Sequence, residues 1–108
     1  MPRILVSGFE PFASMASNPS GDCVVSLRAE RVGGPETPWT VLPVTWSGAA
    51  RVLTARADRV GARGCLMFGV SSRTQGLRVE RTAYNLAASR LGDNAGVMHQ
   101  GEPVRAGG

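Results

Sequence analysis

Apolar positions along this chain fall into short runs broken by glycine and proline. Residues 3–7 are apolar and β-branched and stop at Gly8, which predicts a short buried strand. The segment from Gly8 to Ser14 carries Phe9 and Phe12 around Pro11 and reads as a loop. Asn18-Pro19 then predicts a helix start, with Asn18 as N-cap and Pro19 at the first helical position. That helix runs to about Arg31, with Val24, Val25, Leu27 and Val32 facing inward, and Gly33-Gly34-Pro35 ends it. Residues 40–44 predict a second strand, and Pro43 marks its end or a sheet edge. Ser47 is placed to cap a second helix, about residues 48–60, with Ala49, Leu53, Ala57 and Val60 on one face and Gly61 as its stop. Residues 65–68 form a third strand closed by Gly69.

The order β-α-β-α-β predicts a mainly parallel twisted sheet with helices packed on it, a three-layer α/β/α architecture. After a polar loop at 70–76, residues 77–83 alternate apolar and polar, which predicts a half-exposed strand. Asp93-Asn94-Ala95-Gly96 is a turn. From Met98 onward nothing is periodic, and no closing helix precedes Gly107-Gly108. A parallel sheet needs its faces and edges covered, so the expectation is a truncated domain.

Composition narrows the function classes. With 108 residues and 43% hydrophobic positions, the chain is one domain or part of one. Charged residues at 19% argue against a disordered tail. No run approaches the roughly 20 apolar residues of a membrane span, and the start lacks the pattern of a signal peptide, so the expected address is the cytoplasm. Cys23 and Cys65 are too few for a disulfide scaffold and read as inert core thiols. His99 is the sole histidine, so no zinc site, and no other cofactor, is expected. The net charge is +4 and all twelve basic residues are arginine. Arg51, Arg56 and Arg59 lie at angles too different to form one stripe, so nucleic acid is not an expected partner.

One set of motifs points further. Residues 4–12, Ile-Leu-Val-Ser-Gly-Phe-Glu-Pro-Phe, followed by Asn18-Pro19-Ser20, resemble the N-terminal signature of pyroglutamyl peptidase I, a cysteine peptidase family. Val41-Leu42-Pro43-Val44 resembles that family's second strand, and Phe68-Gly69-Val70 resembles a strand end with its following glycine. Residues 80–85 (Glu-Arg-Thr-Ala-Tyr-Asn) are similar to an E-R-x-A-x-N block, and Arg90-x-x-Asp93-Asn94-x-Gly96 to its continuation. Glu102-Pro103 also matches. Ala13-Ser14 replaces a usual glycine pair, and Arg73-Thr74 stands where Gly-Arg is common.

The resemblance implies removal of N-terminal pyroglutamate from peptides, by a protein about twice this long that forms a homo-oligomer. Residues 1–108 would be the N-terminal portion of its single domain. The nucleophilic cysteine and the base histidine would lie in the other half; neither cysteine here, nor His99, matches them. Sequence beyond Gly108 would contain an apolar run ending in Cys-Asn, then a histidine. Glu80 matches the family's catalytic glutamate, which orients the histidine; the alternative is a surface glutamate paired with Arg78 or Arg81. Arg90 would steady the acyl-intermediate oxyanion; the alternative is pairing with Asp93. Phe9 and Phe12 would line a pocket for the flat, uncharged lactam; the alternative is a pair of loop anchors. Asn18 is divided between that pocket and its N-cap role. Two other readings of the chain stay open: a non-catalytic remnant keeping the fold, and an arginine-rich binding domain.

Overall fold

In a computed structural model of the chain, residues 3–12, 15–34, 36–71, 75–89 and 91–107 are described. Strand β1 (Arg3–Phe9) leads into helix α1 (Pro19–Ala29), strand β2 (Trp39–Leu42), helix α2 (Ala49–Val60) and strand β3 (Ala62–Met67). The sheet order is β2-β1-β3, and both pairings of β1 are parallel. Two short strands, β4 (Ala87–Ala88) and β5 (Gln100–Glu102), form a separate antiparallel pair.

A central β1 follows from its sequence. Leu5, Val6 and Ser7 are buried, which suits a strand flanked by neighbours and covered on both faces. Helix α1 packs on β1 and β2. It approaches closely because Gly8 and Gly21 lack side chains. A Cβ on Gly8 would stand 2.3 Å from the carbonyl oxygen of Ser20, and one on Gly21 would stand 2.3 Å from that of Phe9. Helix α2 spans β2, β3 and β1 without touching α1, so the helices cover opposite faces. The core is small: among the described residues, Leu5, Val6, Val24, Leu42 and Ala87 are its buried apolar members.

Several expectations shift. Helix α1 ends at Ala29, and Val25 and Val32 face solvent, because its inward stripe is narrow and centred on Val24. Helix α2 begins one residue later than expected, and Ser47 does not cap it. The Thr45 hydroxyl accepts the Gly48 N–H instead, at 2.9 Å. Gly61 does end α2, in the left-handed conformation with φ 65°. Strand β3 starts at Ala62, where the pairing with β1 begins at Arg3. Cys65 is exposed, so it is not a core thiol; among the described residues β3 stands at the edge of the sheet, and its residues 65 to 67 are exposed.

The strand expected at 77–83 does not form. Leu77 is 96% and Val79 87% exposed, and the segment is irregular. Alternation marks a surface that suits a sheet, but a strand also needs a ladder partner, and among the described residues none pairs with this segment.

Candidate active site

The candidate residues begin where β1 ends. Phe9 is the last residue of β1, and Phe12 follows two residues past Glu10; both rings are half-buried. Asn18 anchors the far end of this loop and is 7% exposed. Its amide nitrogen donates to the Glu10 carbonyl at 2.9 Å. Its Oδ1 accepts from the Ser20 backbone N–H at 3.0 Å and from the Ser20 hydroxyl at 2.7 Å. The Ser20 hydroxyl oxygen in turn accepts the Phe9 N–H at 3.0 Å. One asparagine thus caps α1 and staples both ends of the phenylalanine loop. Asn18→Ala removes the cap and orphans the buried Ser20 hydroxyl. A stability loss of about 1–3 kcal/mol is expected, read from denaturant unfolding.

Two more segments close on that loop. The Asn94 amide donates to the Pro11 carbonyl at 2.9 Å, and its backbone N–H donates to the Val44 carbonyl at 2.9 Å. Beside it, Asp93 accepts the Trp46 N–H at 2.6 Å, the Ala95 N–H at 2.9 Å and the Val97 N–H at 2.8 Å. These donors, the Trp46 N–H first, hold the Asp93 carboxyl below the ordinary aspartate range. The loops after β1 and β2 are therefore tied together by the Asp93-Asn94 turn, at the carboxyl ends of parallel strands. Because the Asp93 pKa is depressed on folding, its stabilising effect is full above the usual aspartate pKa. It is lost as pH falls through the lowered value. An NMR titration of the Trp46 amide should show its midpoint below that of a free aspartate.

The second block is less gathered. Glu80 is exposed in the irregular 75–86 segment, and the alternative pairing with Arg78 or Arg81 is not formed. Asn85, in the same block, holds the chain's last stretch: its amide donates to the Arg105 carbonyl and its Oδ1 accepts the Arg105 N–H, both at 2.7 Å. Arg90 lies outside the described residues, as do Ala13, Ser14, Arg73 and Thr74. His99 pairs through Nδ1 with Glu102, which lowers the Glu102 pKa, and its ring meets Trp46 edge-on at 4.8 Å. Trp46, Asp93 and the His99–Glu102 pair were not singled out as a unit by the sequence; the Asp-Asn-x-Gly turn and the Glu102-Pro103 match were their visible signals. Among the described residues, no three His, Cys, Asp or Glu side chains stand together to hold a metal, and no helix is long and apolar enough to cross a membrane.

A doubly wound parallel sheet with loops gathered at its strand carboxyl ends defines an α/β protein of the kind that places its ligands there. The comparisons make the class specific. A sequence profile of the pyroglutamyl peptidase family matches residues 2–108, and the chain belongs to that family. It is 33% identical to a pyrrolidone-carboxylate peptidase of Erwinia tasmaniensis, over 100% of this chain and 51% of the relative. It is 35% identical to that of Clavibacter michiganensis subsp. michiganensis, with the same coverage of 100% and 51%. The crystal structure of a pyrrolidone carboxyl peptidase from Fervidobacterium islandicum AW-1 superposes with a TM-score of 0.90 at 28% identity, covering 100% of this chain and 52% of that one. The chain spans about half the length of the curated relatives it matches.

Proposed function

We propose that residues 1–108 are the N-terminal portion of a single α/β domain that, when complete, is a cysteine-type exopeptidase releasing pyroglutamate from peptide N-termini. The carrying observation is the match of the whole chain to relatives named pyrrolidone-carboxylate peptidase, over about half of their length. In this reading Phe9 and Phe12 face the lactam, and Asn18 keeps their loop in shape. Glu80 orients the base histidine and Arg90 steadies the oxyanion. The nucleophile and the base come from the rest of the protein. A thiolate attacks the pyroglutamyl carbonyl, the imidazolium protonates the departing amine, and water then hydrolyses the thioester. The complete protein works in the cytoplasm as a homo-oligomer, a state that light scattering would measure.

The test of the pocket is a pair of variants in the complete protein. Rings that touch the lactam equally in ground and transition states contribute uniform binding, so Phe9→Ala or Phe12→Ala should raise KM more than it lowers kcat. The loss of one aromatic contact corresponds to about 1–2 kcal/mol, a roughly five- to thirtyfold rise. Unchanged KM with easier unfolding would make both rings loop anchors.

A further inference from the structure

The outer edge of β2 is open. Strand β2 is the last in the order β2-β1-β3, and no strand among the described residues pairs with its other side. The Pro38 and Leu42 carbonyls accept from Val6 and Glu10 of the β1 side, each at 3.0 Å. Peptide groups alternate along a parallel strand, so those of Trp39 and Val41 point outward, with N–H and C=O free to pair.

Helices overhang this edge from both faces. A cleft of about 360 Å³ runs along it, floored by Trp39, Thr40 and Val41, with Val25 and Arg28 of α1 on one wall and Arg56 of α2 on the other. A second cleft of about 350 Å³ adjoins it, sharing Arg28, Trp39 and Arg56 and adding Arg31. Neither is lined by Phe9, Phe12 or Glu80, so this is a different place from the candidate active site. Among the described residues the only ion pair is His99–Glu102, so these arginines have no carboxylate partner although Glu30, Glu36 and Asp58 lie nearby in sequence.

We propose that the β2 edge is a docking groove for an acidic peptide segment that binds as an added strand. Its backbone pairs with Trp39 and Val41. Successive side chains of a strand point to opposite faces, so one carboxylate meets Arg28 and Arg31 while the next meets Arg56. Guanidinium groups contributed from the α1 side and from α2 along an open strand edge suit this alternation. The apolar stem of an intervening residue covers Val25 and the half-buried Trp39.

The test uses the isotope-labelled complete protein that carries residues 1–108 and a capped heptapeptide, Gly-Val-Glu-Glu-Glu-Val-Gly, at low salt. The Trp39 and Val41 amide signals should shift on titration, and Arg28→Glu with Arg56→Glu should weaken binding about tenfold or more. Two versions of the peptide carry N-methyl groups on alternate amides, one set each. Only the set facing β2 should lose binding. Equal binding by both versions, or by a DNA oligonucleotide, would reduce the groove to general charge attraction and overturn the proposal. No shift at Trp39 and Val41 up to millimolar peptide would overturn it too, leaving the arginines as guards of an open edge.

Discussion

In the complete protein, Glu80→Gln should lower kcat by roughly 10- to 10³-fold and leave stability nearly unchanged. Glutamine keeps the size of the side chain and offers one carbonyl oxygen. It loses the charge that stabilises the imidazolium paired with the thiolate, and its amide can present the wrong end to the ring. Amide-for-carboxylate changes in serine peptidases reach about 10⁴. A cysteine thiolate depends less on continuous base assistance, which sets the smaller range. The small effect on stability follows from the structure: Glu80 is exposed and has no ion-pair partner among the described residues. With its stabiliser gone, the thiolate–imidazolium pair forms at higher pH, so the acidic limb of the pH–rate profile moves up. Unchanged kcat with an unmoved acidic limb would remove Glu80 from the site.

The 108-residue chain by itself should release no pyroglutamate from a peptide or an arylamide. Acyl transfer begins with a thiolate beside a base. Cys23 belongs to α1 and Cys65 to the exposed β3 edge, while His99 sits in the loop before β5 with Nδ1 committed to Glu102. None of these contacts joins a thiol to an imidazole. An assay of the purified chain with a thiol reductant checks this. Turnover that disappears on alkylation of Cys23 or Cys65 would refute it.

Local signals carried most of the fold. The run 3–7, the Asn18-Pro19 cap and the Gly61 stop each act through neighbouring residues and place the starts of β1 and α1 and the end of α2. Gly8 does not stop β1, which continues through Gly8 and Phe9 because both pair with β2. Pro43 was legible for the same reason: β2 ends at Leu42 and is also an edge strand. Failures came where a distant partner decides. The alternation at 77–83 says which side chains would share a face, but a strand needs a ladder that this segment does not find. Cys65 looked like a core residue because apolar neighbours surround it in sequence; its exposure depends on what covers β3.

The site divides along the same line. Asn18 was legible as an N-cap, and that bond to Ser20 is present. Its second bond, to the Glu10 carbonyl, depends on how the loop folds back and left no trace in the sequence. Asp93 read as a turn residue, a member of the block that follows Arg90 and an alternative partner for Arg90, and its contact with Trp46 stayed hidden because it spans 47 positions. Glu80 was legible through the resemblance, and nothing in its own neighbourhood marks it as functional.

The most direct measurement is hydrolysis of a pyroglutamyl arylamide, beside a prolyl arylamide, by the complete protein that carries residues 1–108. Turnover of the pyroglutamyl compound alone, abolished by thiol alkylation and slowed at least tenfold by Glu80→Gln, is the expected result. A folded complete protein that leaves the pyroglutamyl bond intact, or cleaves both compounds equally, would contradict the assignment of a pyroglutamyl pocket and an orienting glutamate to this chain.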